Sequence, residues 1–479
     1  MYWVRLGWKG RHLIINDIAD RLLRSVEAVQ DGVNEALFEP VIRIGVTGLS
    51  RAGKTVFITS LVANLMDRGR MPQFSPATAI TAAYLQPQPD DTVPRFNYEA
   101  HLAALTATDP HWPASTRAVS ELRLSFRVRP TGLLAGLSGP RTVHLDIVDY
   151  PGEWLLDLGL MEKTYAEWSA EALQRAQSRE QSAEFLAALE GFDGNARHEE
   201  AGAKALSEAF TSYLNRARAA GYSDCTPGRF LLPGELAGSP VLTFAPLAQP
   251  DGPRGSMARE FARRYESYKR EVVRPFFRDH FARIDRQIVL VDALGAIHAG
   301  PKAVEDLRET MADILSAFRP GRVGRIMALL GQHRVEKILF AATKADHIHH
   351  TQHARLTAIM EALVRDARDR ADFAGAKTTA MSIASLRATV EETVNHDGQD
   401  IDCVRGVTED GKRAAFYPGE LPEDPAHILS AARQGAEKWL DGDYEVMRFK
   451  PAPMTLKPGE GPPHIRLDRA AEFLIGDKL

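Results

Sequence analysis

Residues 41–55, VIRIGVTGLSRAGKT, hold the feature that most constrains this chain. An apolar, β-rich run ends in glycine, and Gly48-Leu49-Ser50-Arg51-Ala52-Gly53-Lys54-Thr55 then matches the pattern G-x-x-x-x-G-K-[ST] in full. Such a loop closes backbone N–H groups around phosphates, and a helix starting at its end favours anions. Ser50, Arg51, Ala52, Gly53, Lys54 and Thr55 are therefore expected to bind a nucleotide. Lys54 brings positive charge to the β/γ-phosphates, a role in both binding and catalysis, and the Thr55 hydroxyl is expected to complete a Mg2+ shell. Arg51 is either a second charge at the γ-phosphate or a solvent-facing side chain. The pattern carries its meaning only between a strand and a helix, and the stretch from Lys54 to Met66 reads as that helix.

Two more elements close apolar runs further along. Asp149-Tyr150-Pro151-Gly152 ends TVHLDIVD (142–149). Asp149 there can hold magnesium through water, and the Gly152 N–H can sense a γ-phosphate. Glu153 follows, either as a carboxylate acting on the attacking water or as a solvated residue starting the next helix. Thr343-Lys344-Ala345-Asp346 ends KILFAATK (337–344). The Asp346 carboxylate can accept from two donors on guanine that adenine lacks, while the Lys344 stem covers the base. Thr343 stands where asparagine is commoner, which makes the base preference less secure. Ala384, Ser385 and Leu386, after the last strand, are placed to support the base through backbone N–H groups, or form only a turn. Thr116 is the best switch threonine for magnesium and catalysis, with Ser115, Thr78 and Thr81 as competitors and a cap or loop role as the alternative.

Between these elements the pattern alternates strand and helix. SELRLSFRV (120–128) and 142–149 read as a hairpin, and QIVLVDAL (287–294), 337–344 and KTTAMSIA (377–384) as further strands. The fold class is α/β: a doubly wound, mainly parallel sheet with a large helical insertion. Residues 1–39 form an amphipathic helix, 40–156 and 286–396 the two parts of the core, and 157–285 the insertion, in which Phe261, Tyr265, Tyr268, Val272 and Phe276 share a helical face. Residues 397–479 hold a hairpin turning at Asp410-Gly411 and a terminal helix, both packing on the core. Seven prolines break any long element over 70–114.

Composition narrows the classes. The 479 residues carry 59 Lys+Arg against 63 Asp+Glu, so a dedicated nucleic-acid binder is not expected. Cys225 and Cys403 are too few for a disulfide scaffold or a Cys-rich zinc module. No apolar run reaches the roughly 18–20 residues of a membrane span, and the basic, aromatic start lacks a signal peptide's apolar core. A cytoplasmic protein is expected. His347, His349, His350 and His353 cluster after Asp346, with His349 and His353 one helical turn apart. No acidic or cysteine partner is implied, so capping and exposure are favoured over a metal. Asp292 is read as a helix cap or structural acceptor, and Arg319, Arg322, Arg325, Arg334 and Lys337 as a solvated helix face, with a docking surface for an acidic partner as the alternative.

The set GLSRAGKT, DYPGEW, TKAD, the long helical insertion and the closing HIRLDRAAEFLIGDKL (464–479) resembles the YcjX-like family of bacterial stress-associated P-loop GTPases, over about residue 14 to the end. The resemblance implies GTP/GDP binding with Mg2+, slow hydrolysis of GTP, a stress-related switch role, and a membrane-protein partner that would hold the chain peripherally at the inner membrane. Two rivals stay open: a nucleotide-dependent scaffold with negligible turnover, and a P-loop ATPase or small-molecule kinase in which TKAD is incidental.

Overall fold

Alternating apolar runs become a seven-stranded sheet in the computed structural model, which describes residues 39–48, 52–114, 118–130, 139–316, 335–373, 375–396, 398–434 and 447–479. The strands are β1 (Val41–Gly48), β2 (Ile80–Gln86), β3 (Ser120–Val128), β4 (Arg141–Asp149), β5 (Arg286–Val291), β6 (Lys337–Ala342) and β7 (Lys377–Ser382), in the spatial order β2-β3-β4-β1-β5-β6-β7. β4, β1, β5, β6 and β7 are parallel, and β3 pairs antiparallel with β2 and β4. The strand order reverses at β1. In open α/β sheets that reversal opens a crevice at the carboxyl ends of the strands, where ligands bind.

The helices that position the site are α1 (Lys54–Met66), α2 (Gly152–Leu156), α3 (Glu200–Ala219), α4 (Met257–Tyr268), α5 (Pro301–Ser316), α6 (His353–Leu363) and α7 (Leu467–Ile475). Side chains alternate across the pleat, so Ile288 and Leu290 enter one core and Val289 and Val291 the other. The first core packs under α1 and α7 through Phe57, Leu61, Leu467 and Leu474. The second packs under α5, α6 and the helical segment between β4 and β5. Burying each of Leu467 and Leu474 contributes about 1.5–3 kcal/mol, enough to hold the short α7 on the sheet.

The helical segment shares its core with the sheet. Phe261, Tyr265, Tyr268, Val272 and Phe276 are all buried on one continuous face. Trp168 stacks on Tyr265 with ring centroids 5.2 Å apart. The link to the sheet is polar as well. Asp157, just beyond α2, is fully enclosed and accepts from the Tyr268 hydroxyl and from the Gly228 N–H at 2.8 Å. Burial pushes the Asp157 carboxyl up to about 7 against the pull of those two donors. The folded state therefore holds this proton more tightly than the unfolded chain. Stability from the protonated acid is present at low pH and is lost as pH rises from about 4 through about 7. Asp157→Asn mimics the protonated acid, accepting from Gly228 and donating to Tyr268. Melting temperatures measured from pH 5 to 8 should fall less steeply in this variant than in the wild type; parallel slopes would contradict the assignment.

Over 70–114 the regular pieces are short and lie between prolines: β2 adds an edge strand beyond β3, and Tyr98–Thr106 is a helix capped by Asn97. The boundary expected at 396/397 is corrected, because β8 (Val390–His396) pairs with β9 (Gln399–Val407), and β9 with β10 (Arg413–Phe416), in a second, three-stranded sheet. The hairpin at Asp410-Gly411 is present with this extra strand attached. Thr78 and Thr81 lie at the far edge, where the Thr81 hydroxyl donates to the Arg127 carbonyl. The amphipathic helix of 1–39, apart from residue 39, and Arg319, Arg322, Arg325 and Arg334 lie outside the described residues. Lys337 is on no helix face: it opens β6, and its ammonium pairs with Asp477 at 2.7 Å. Among the described residues, no helix is long and apolar enough to cross a membrane.

Candidate functional site

β1 delivers the glycine loop to the edge where the strand order reverses. A Cβ on Gly48 would meet the Leu290 Cβ and carbonyl oxygen, each at 2.9 Å, so close contact with β5 requires glycine here. Gly53 has φ 77° and ψ 29° and precedes α1 directly. Only glycine adopts that left-handed backbone without strain, and it aims the first turn of α1 into the loop. The Lys54 ammonium donates to the Gly48 carbonyl at 3.2 Å, folding the cation across the loop it is expected to serve. Thr55 is buried in the first turn of α1. Ala52 is buried against the same loop, while Ser50 and Arg51 lie outside the described residues.

Parallel pairing of β1 with β4 sets Asp149 opposite Val46 and buries it at the loop. The Thr55 hydroxyl and the Asp149 carboxylate are oxygen donors of the kind magnesium takes. Gly152 begins α2, and both it and Glu153 are buried. The solvated reading of Glu153 is thus corrected: its Oε1 lies 3.6 Å from the Arg218 guanidinium of α3. A cavity of about 90 Å³ lies beside that pair, lined also by Tyr222, Cys225, Asp292 and Leu307. Tyr150 donates to Gln287 Oε1 at 2.6 Å and packs edge-on against Phe276 and Phe281. The Arg229 guanidinium lies 3.2 Å from the Trp154 ring centre. The D-x-x-G segment is therefore gripped from above by the helical segment. Thr116 and Ser115 lie outside the described residues, but Trp112, just before them, donates to the Phe449 carbonyl at 2.8 Å.

At the β6 end, Thr343 bonds back to the Val291 carbonyl through its N–H, at 2.9 Å, and its hydroxyl. Lys344 takes a left-handed backbone, φ 61°, and its ammonium pairs with Asp292. The same Asp292 also accepts from the Gly295 N–H at 3.0 Å, so it caps the helix and anchors Lys344 together. The Lys344 ammonium is thereby held at Asp292, beside the end of β6. Asp346 is buried and accepts from the Ala388 N–H at 2.8 Å through one oxygen.

In the turn after β7 the Ala384 N–H is used by the Ile465 carbonyl at 3.1 Å, and Ser385 and Leu386 are buried. The Asp346 carboxylate is braced by the N–H of Ala388, four residues past Ala384. A backbone N–H has no side-chain signature, so no sequence signal marks it. Burial holds the His347 imidazole below its ordinary range, and its ring lies edge-on to Phe449 at 5.3 Å. His353 turns inward to the Ala345 carbonyl at 2.8 Å, away from His349.

A protein-family model described as the YcjX-like family, DUF463, matches residues 42–479. The chain is 38% identical over 460 residues to a protein of Escherichia coli K12 named Ras-like GTPase YcjX, covering 91% of this chain and 96% of that relative. It is 33% identical over 467 residues to the protein of the same name from Shewanella oneidensis MR-1, covering 91% and 94%.

Proposed function

Since the chain belongs to the YcjX-like family, we propose that it binds guanine nucleotide at the β1 loop and hydrolyses GTP slowly to GDP, acting as a stress-related molecular switch. One observation carries the reading: the left-handed Gly53 that opens α1 and the buried, N–H-braced Asp346 stand at the same carboxyl edge of one parallel sheet. Phosphates are assigned to the loop of 48–55 with Lys54, and the base to Lys344 and Asp346. Thr55 and Asp149 would hold Mg2+, which when bound neutralises phosphate charge. The Gly152 N–H is the γ-phosphate sensor. The names of the two relatives agree with a GTPase assignment.

Slow turnover is consistent with Glu153, whose carboxylate is held by Arg218. A charged carboxylate facing the γ-phosphate is also unfavourable, since like charges repel. The scaffold reading differs only in rate. Displacement of fluorescent GDP by GTP, GDP and ATP, followed by phosphate release, tests both parts. GTP and GDP should compete and ATP should not; equal competition by ATP would end the guanine assignment, and no phosphate release would leave the scaffold.

Asp346→Asn sharpens the base test. The amide keeps an acceptor for the Ala388 N–H but loses the charge that favours two guanine donors, a difference of about 1.5–3 kcal/mol. GTP affinity should drop by about one to two orders of magnitude, while xanthosine triphosphate binds more tightly. Unchanged affinity for both would show that Asp346 does not meet the base.

A further inference from the structure

Beyond the nucleotide pocket, the turn between β6 and α6 meets the second sheet at a cluster that the sequence does not pair. His349 and His350 face Glu391, the second residue of β8, and their ligand-capable atoms lie within 4.8 Å of one another. The His350 Nδ1 is 2.7 Å from Glu391 Oε2, and the His349 Nε2 is 3.8 Å from the same oxygen. Around a tetrahedral ion with bonds of about 2.0–2.1 Å, ligand atoms stand about 3.3–3.4 Å apart, and the two observed separations bracket that value. The remaining groups orient the set. The His349 Nδ1 faces the Thr351 hydroxyl at 3.0 Å and the Asp402 carboxylate of β9 at 3.4 Å. An imidazole held through one nitrogen in this way presents the lone pair of the other. Arg387 approaches the other oxygen of Glu391 at 3.5 Å, leaving Oε2 to the histidines. His349 is nearly buried while His350 is exposed, so an ion can enter from solvent onto a partly enclosed ligand.

The geometry points to a binding site for a divalent cation of the zinc class, held by His349, His350 and Glu391. Two imidazoles and one carboxylate suit zinc, cobalt or nickel and not magnesium or calcium, which take oxygen. Water completes the fourth position. The site has a structural consequence. Asp346 lies three residues before His349, and Ala388, which donates to it, lies three before Glu391, so the ion would add a further link between the 346–350 turn and the start of β8. Bound metal thus braces the turn that carries the Asp346 contact. This holds whichever base the pocket takes, because the ligands lie outside it.

Full-length, tag-free protein without nucleotide provides the test. After incubation with Zn2+ and desalting, elemental analysis should find about one equivalent in the wild type and a loss of it in His350→Ala and Glu391→Gln. His350 is exposed, so its replacement leaves the packing intact. Co2+ should give a visible absorption band in the wild type that both variants lack. Zn2+ should also increase amide exchange protection over residues 385–391 in the wild type only. No retained metal, or equal retention in wild type and both variants, would overturn the site. Retained metal with unchanged protection over 385–391 would overturn the bracing.

Discussion

Lys54→Ala is expected to abolish the rise in melting temperature that GTP gives the wild type, while leaving the melting temperature of the nucleotide-free protein nearly unchanged. The side chain is only partly buried, and its one hydrogen bond among those described is to the Gly48 carbonyl. Losing it costs the fold little. The triphosphate, by contrast, loses its compact positive charge, and a charge-assisted contact of this kind contributes about 1.5–3 kcal/mol for each bond lost. A ligand that no longer binds the native state no longer stabilises it. Thermal melts with and without GTP decide the matter, and an equal GTP-induced rise in the variant would remove Lys54 from the site.

Gly228→Ala is expected to be the most disruptive single methyl addition against α2. A Cβ there would stand 2.2 Å from the Glu153 carbonyl oxygen and 2.5 Å from its carbonyl carbon. Both are backbone atoms, so no side chain can turn aside, and α2 or the 227–231 turn has to move. Overpacking of this kind costs about 1–3 kcal/mol and at times more, and here it also threatens the 2.8 Å bond from the Gly228 N–H to Asp157. A control lies nearby in the same segment. At Gly202 an added Cβ meets only the Met257 Cε, at 3.2 Å, which can swing away. Alanine inside a helix is favoured over glycine by about 0.5–1 kcal/mol, so Gly202→Ala should be neutral or stabilising. The urea midpoint should fall for Gly228→Ala and should not fall for Gly202→Ala. If Gly228→Ala unfolds at the wild-type midpoint, α2 is not held by the helical segment as described.

Asp149 to Asp157 is bound to the helical segment through Arg218, Gly228, Arg229, Tyr268 and Phe276. Moving α2 therefore breaks these contacts as well as pulling on the chain.

What the sequence determined by itself is local. The loop of 48–55 needs a strand before it, glycines within it and a helix after it, and all three are set by neighbouring residues, so β1 and α1 stand where their patterns put them. The buried strands were legible for the same reason, since a run such as KILFAA has few other ways to leave water. The face of Phe261, Tyr265 and Tyr268 follows from helical spacing. What only the tertiary structure decided depends on groups far apart in the chain. Ala388 reaches Asp346 across 42 positions, and Gly228 reaches Asp157 across 71. Both act through backbone N–H groups, which every residue but proline carries, so nothing in the residue type announces them. His349 and His353 share a helical spacing, yet His353 turns to a carbonyl, and His349 meets Glu391 and Asp402 because two strands of a second sheet arrive there. Spacing records which side chains can share a face of one element, whereas partners on different elements are chosen by how the elements pack.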